Sequence, residues 1–230
     1  MAIITLDPID PAAVVDGLDG VNHPMRHITE TIINDGSWGA DRRADVASFF
    51  DELAKDWSGS RSAEQRASAL DDVFVRAADW VPRATGFALE LGVGSGMFTP
   101  TLVKRWGTVV AADISPAMLA EVPPGLAPVM RADASRLPLV DRSTHLILLA
   151  NMFLFPAEMD RVLADDGAIV WLNSRGVNTP IHLTTEAVLD ALPGEWSAVE
   201  SQFGAATWAV CRRSSRVPPG KIGVVASTTA

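Results

Sequence analysis

Downstream of residue 85 the chain alternates between short apolar runs and segments whose apolar residues recur at helical spacing. Residues 87–91, 108–112, 127–131, 145–150 and 168–172 are apolar runs of strand length. The stretches between them, at about 97–105, 116–121 and 157–164, predict helices. Strands and helices in strict alternation imply a parallel sheet covered by helices on both faces. After a further helix at 184–192 come two strand-like runs, 196–202 and 205–212, with Phe203-Gly204 between them. So short a link makes a hairpin, so the last strand is expected to be antiparallel.

Upstream the period changes. Val46, Phe49, Phe50, Leu53 and Trp57 recur at helical spacing over 41–57, and Asp56 to Ser60 interrupts them. Ser62 with Gln65 forms a capping box for a next helix that turns Leu70, Val73, Phe74, Ala77 and Val81 inward, with Pro82 at its end. An earlier helix from Pro24 to about Asn34 places Met25, Ile28 and Ile32 on one side. Residues 1–85 therefore read as an N-terminal helical cap, 86–213 as an α/β core, and 214–230 as a loose tail without periodicity.

The candidate chemistry gathers at the strand ends of the core. Glu90-Leu91-Gly92-Val93-Gly94-Ser95-Gly96 closes the first strand with three glycines at alternate positions. Glycines so placed let the backbone turn sharply and let a ligand approach where a Cβ would stand. Position 97 is Met, so the third glycine of the dinucleotide fingerprint is missing. The second strand ends on Asp113, about twenty residues past the first glycine, where a carboxylate can accept both hydroxyls of a ribose. Ser115-Pro116 then reads as an N-cap followed by proline at the first helical position. The third strand runs into Ala132-Asp133-Ala134-Ser135.

This ordered set of Glu90, the glycine loop, Asp113 and Asp133 resembles the motifs of class I S-adenosylmethionine (SAM)-dependent methyltransferases, over residues 86–213. The resemblance implies a Rossmann-like, mostly parallel sheet with an antiparallel last strand, and SAM as cofactor with S-adenosylhomocysteine (SAH) as product. It further implies that Gly92, Val93, Gly94 and Gly96 approach the methionine part, with Glu90 toward its ammonium. Asp113, with Ile114 and Met118 beside it, would hold the ribose, Asp133 the exocyclic amine of adenine, and Ala134 would present a backbone NH to the ring. Asn151 lies at the carboxyl end of the fourth strand, where open α/β folds bind ligands, and reads equally as a turn residue. Trp57 resembles the aromatic residue that covers SAM in many small-molecule methyltransferases, and its position in the stripe suits plain packing as well.

Two positions depart from the family pattern. His145 stands at the start of the fourth strand where an acidic residue is common. Asn151-Met152-Phe153-Leu154-Phe155 does not match the Asn-Pro-Pro-Tyr type of motif, which disfavours methylation of nucleobase amino groups. The sulfonium already activates its methyl group, so a base is needed only when the acceptor must shed a proton. His145, His23 and His27 read as structural or surface residues. His182, in the long loop after the fifth strand, is the candidate general base, with helix capping or surface exposure as its plain reading. No His, Cys, Asp and Glu cluster has metal-ligand spacing, and no metal is expected.

Composition narrows the partners. A formal charge of −9 argues against a broad grip on nucleic-acid phosphates. Cys211 is the only cysteine, which excludes an internal disulfide and fits a reducing compartment. No secretory signal and no membrane-length apolar run is visible, so a cytoplasmic protein is expected. The expectation is a SAM-dependent methyltransferase acting on a small molecule, with the acceptor atom (O, N or C) and the oligomeric state left open. A SAM- or SAH-binding protein without transferase activity and a nucleotide-dependent oxidoreductase are the alternatives.

Overall fold

The computed structural model describes residues 1–11, 20–57, 63–84 and 86–218, with backbone alone at 55–57 and 63–66. Its centre is an eight-stranded sheet in the order β1-β7-β8-β6-β5-β2-β3-β4. The strands are β1 (Ala2–Thr5), β2 (Phe87–Leu91), β3 (Thr108–Asp113), β4 (Val129–Arg131), β5 (Thr144–Ala150), β6 (Leu163–Asn173), β7 (Trp196–Phe203) and β8 (Ala206–Arg213). Only β8 runs antiparallel to its neighbours, β6 and β7, as the hairpin pattern predicts. Residues in the central strands are buried on both faces. Leu89, Leu91, Ile147, Leu149, Ile169 and Trp171 join one cluster, while Ala88, Leu146, Leu148, Val170 and Leu172 join the other. That explains why these strands read as continuous apolar runs.

Helices α1 (Pro24–Asp35), α2 (Ala40–Trp57) and α3 (Ala63–Arg76) precede the parallel core. His23 Nδ1 accepts from Met25 N at 3.2 Å to cap α1, and Gly36 ends it at φ +62°. Within the core come α4 (Thr99–Val103), α5 (Pro116–Glu121), α6 (Pro156–Val162) and α7 (Thr185–Ala191). Ser115 caps α5 as expected, its hydroxyl accepting from Met118 N at 3.0 Å. Thr184 does the same for α7 through Ala187 N at 3.1 Å. Met25, Ile32 and Val46 carry α1 and α2 onto one face of the sheet, and Leu70, Val73 and Phe74 carry α3 onto the other. Among the described residues no helix is long and apolar enough to cross a membrane.

Several expectations need correction. Residues 1–85 are not helical throughout, because Ala2–Thr5 add a parallel edge strand to β7, extended by Leu6 N to Glu200 O at 2.9 Å. Four residues carry too little pattern to reveal a strand whose partner lies almost two hundred positions away. The helix expected to reach 164 stops at Val162, since Leu163 already pairs with Thr144 before a register shift in β6. The third strand is shorter than expected, Val129–Arg131. Phe49 leaves the α2 stripe and is 40% exposed. Ser62 of the expected capping box lies outside the described residues.

Candidate active site

The chain leaves β2 for β3 on one side and later returns to β5 on the other, so the carboxyl end of β2 is a topological switch point. Crevices at such points are where open α/β sheets take their ligands. The glycine loop leaves β2 there with φ of +67° at Gly92, +54° at Gly94 and +82° at Gly96, conformations that L side chains rarely adopt. Asp113 holds the loop in place. Its Oδ2 accepts from Gly94 N and its Oδ1 from Ser115 N, both at 2.9 Å. Burial pushes the Asp113 carboxyl above its ordinary value, while the backbone hydrogen bonds from Ser115 and Gly94 oppose it.

Gly92, Val93, Gly94, Asp113, Ile114, Met118, Ala134 and Asn151 line one cleft, so eight of the residues expected at the cofactor are brought together. Gly96, Glu90 and Asp133 are not among its lining residues. Glu90 is 1% exposed and points under the loop, where Thr99 Oγ1 donates to it at 2.7 Å. Burial lifts its pKa to about 8, so it is neutral at physiological pH and braces the start of α4. It does not reach the cleft as an anion for an ammonium group. Asn151, at φ +51°, accepts from Ser174 N at 2.8 Å and donates to Ser174 Oγ at 3.0 Å, joining the ends of β5 and β6.

Asp133 is already engaged. Trp38 Nε1 donates to it at 3.0 Å, Arg43 Nη1 at 3.1 Å and Ser135 N at 2.9 Å. Burial alone would raise its pKa, but these bonds outweigh it and the carboxylate stays below its ordinary value. Trp38 also packs between Phe153 and Phe155, with ring centroids 5.7 and 5.1 Å away. A second tie from the cap is Asp51, which accepts from Ser115 Oγ at 2.5 Å and Ala117 N at 3.1 Å. With Trp38, Val46 and Phe50 leaning in, the cleft encloses about 90 Å³.

The sequence leaves Trp38 open between a lid and a surface turn, and nothing in it singles out Arg43 or Asp51. Their partners lie more than sixty positions away. Trp57 ends α2, but its side chain lies outside the described residues. His145 sits at the amino end of β5 against Gly86, where a Cβ would collide with the imidazole. His182 does not enter the cleft. Its neighbour Ile181 does, while the imidazole lines a separate cavity and holds Arg26 Nη1 at 3.2 Å from Nδ1. Burial, helped by the Arg26 charge, lowers its pKa to about 4. The expected base is therefore neutral, but it is turned away from the glycine loop because the loop after β6 reverses at residues 179–182.

Residues 89–171 match the family model of the methyltransferase domain. Over that segment, less than half of its length, the chain is similar to methyltransferase domains. Several solved structures share the fold. DhpI in complex with SAH is 20% identical with a TM-score of 0.56, over 74% of this chain and 96% of that one. DhpI in complex with SAM and HEP is 18% identical with a TM-score of 0.54, over 76% and 100%. The PH0226 protein from Pyrococcus horikoshii OT3 is 16% identical with a TM-score of 0.54, over 68% and 93%. A solved chain from Anaeromyxobacter dehalogenans is 25% identical at a TM-score of 0.39, and the match spans 45% of its length. No curated protein matches the chain in sequence. The matched segment runs from β2 into β6, and the cap, β1, α7, β7 and β8 lie outside it.

Proposed function

We propose that this protein is a SAM-dependent methyltransferase that binds SAM in the cleft at the end of β2 and transfers its methyl group to a small-molecule acceptor. The observation that carries the reading is the pair Gly94 N to Asp113 Oδ2, 2.9 Å, at the switch point of the sheet. It holds a positive-φ loop open for a ligand and sets a carboxylate at its rim. Gly92 also lets the loop pass close to Met152, where a Cβ would stand 2.5 Å from Sδ. Bound there, SAM would supply an electrophilic methyl for an acceptor lone pair, with the thioether of SAH as the leaving group.

The chain's own part is placement. Asp113 orients the ribose, the Gly92–Gly94 backbone leaves room for the methionine part, and Asn151 fixes the edge of β5 beside it. On the acceptor side stand Trp38, Phe153, Phe155 and Ile181, which exclude water and favour a largely apolar acceptor. No histidine lines the cleft among the described residues, so transfer is assigned to proximity and not to His182. That same lack of a histidine favours a second reading, a SAM binder that transfers nothing. Calorimetry with SAH tests the site, and radiolabelled SAM with metabolite extracts tests transfer. Tight SAH binding without labelled small-molecule product would leave the second reading standing, and absence of SAH binding would overturn both.

A further inference from the structure

Asp133 stands between two openings. Ala132 and Ala134, on either side of it, line the cleft, while Asp133 itself lines a groove on the outer side with Arg43 and Arg131. Asp113 pairs with Arg131 in the β3–β4 register, so residues 132–134 leave the sheet beside the carboxylate assigned to the ribose. A base carried by that ribose and turned away from the glycine loop falls against this segment. An ionised carboxylate offers about four acceptor positions. Donors already use them: Trp38 Nε1 at 3.0 Å and Ser135 N at 2.9 Å on Oδ1, Arg43 Nη1 at 3.1 Å on Oδ2, and the Ser135 hydroxyl. A further donor enters only when one of these leaves.

The two donors from the cap differ in what they face. Arg43 reaches Asp133 from the outer groove, and Trp38 reaches it from the cleft, which its indole lines. Trp38 sits in the short turn between α1 and α2, with Gly36 and Gly39 beside it, where an added Cβ would meet nothing within 4 Å. The helices on either side are anchored. Arg26 of α1 donates to Val177 O at 2.7 Å and Thr179 O at 2.9 Å, and Asp51 of α2 holds Ser115 and Ala117. The turn meets the core through the Trp38 side chain, by the Asp133 bond and the ring contacts with Phe153 and Phe155. A fused aromatic ring with one N–H donor thus holds the acceptor that an adenine amine entering from the cleft would need.

We propose that Trp38 is a self-inhibiting latch: its indole N–H occupies the position on Asp133 that the cofactor's exocyclic amine takes, so the two exclude each other. The inference rests on SAM binding in the cleft. The test is titration of the full chain with SAH and with its deamino analogue, which carries hydrogen in place of the exocyclic amine. Calorimetry reads affinity, and proton–nitrogen NMR reads solvent exchange of the Trp38 indole N–H, identified by its absence from Trp38→Phe or Trp38→Tyr. Saturating SAH should free that N–H and make it exchange at least about tenfold faster, and the deamino analogue should leave it protected. Trp38→Phe keeps a ring against Phe153 and Phe155 and removes the donor, so SAH should bind at least about threefold tighter. The deamino analogue should gain nothing from the same substitution. A Trp38 N–H still protected at saturating SAH, SAH binding no tighter in Trp38→Phe, or an equal gain for the deamino analogue overturns the latch. Absence of SAH binding to the wild-type chain overturns the proposed function, and the latch with it.

Discussion

The two cavities on the carboxyl edge are built in opposite ways. The cleft at β2 draws its floor from contiguous stretches, the glycine loop and the residues around Asp113, and its walls are apolar. The cavity beside β7 is assembled from segments near positions 5, 171, 182, 200 and 207, and its lining is rich in hydroxyls and carboxylates. A site made of consecutive backbone can be recognised from spacing, because the turn itself demands particular residues. A site made of single side chains from distant strands has no such signature. Each cavity also neighbours a buried titratable group, Glu90 under the first and His182 in the second, and the two are shifted in opposite senses.

The largest effect should break the first cavity. Gly94→Val forces a β-branched residue to φ +54° where a ligand must approach, so SAH affinity should fall by at least about 100-fold with the cooperative melt retained. Normal SAH affinity in that variant, read by calorimetry, would remove the cleft from consideration.

The buried acid tests the ground beneath the cleft. Glu90 titrates near 8 in the fold and near 4.5 when unfolded, so the folded state holds the extra proton between these values. Stability therefore falls as pH rises from about 4.5 to 8. Glu90→Gln should stabilise the protein at pH 7, by up to about 3 kcal/mol, and flatten this slope. Denaturant midpoints across that range would show it, and an unchanged slope would count against a neutral Glu90.

For the second cavity the sign reverses. His182 titrates near 4 in the fold against 6.5 unfolded, so the unfolded chain holds the extra proton in that window. Stability should fall as pH drops from 6.5 toward 4, by no more than about 3 kcal/mol. His182→Asn should remove that loss and leave SAH affinity at its wild-type value. A large drop in SAH affinity would show that the two cavities are coupled.

Asp113→Ala should weaken SAH by about 1.5–3 kcal/mol, the range for hydrogen bonds to a charged group. Part of the loss would come from freeing Gly94, which Asp113 pins. Retained affinity in a folded variant would refute the ribose assignment. The smallest effect belongs to the cap. The Arg43–Asp133 ion pair is half-exposed on the arginine side and is worth about 0–1 kcal/mol. If it competes with the cofactor for Asp133, Arg43→Ala should tighten SAH by about two- to fivefold. Weaker binding would instead make Arg43 part of the cofactor site.

What the amino-acid sequence determines by itself is what residue spacing can encode. The alternation after residue 85, the hairpin at Phe203-Gly204, and the Gly92–Gly96 loop with Asp113 beyond it are local patterns, because strand pleat, turn and cap each depend on a few neighbours. His182 is legible as an unusual residue, but its direction is not, since that depends on how the loop after β6 folds back.

Long-range pairing decided the rest. Ala2–Thr5 became a strand only because β7 offers an open edge. Asp133, expected at the adenine, is also the partner of Trp38 and Arg43 because α2 packs across the β3 and β4 ends. Asn173 Oδ1 is left without a hydrogen-bond partner because the loop at Leu183 satisfies one half of its amide and not the other. Local chemistry wrote the glycine cleft into the sequence, whereas the second cavity and the closed cap exist only where distant segments meet.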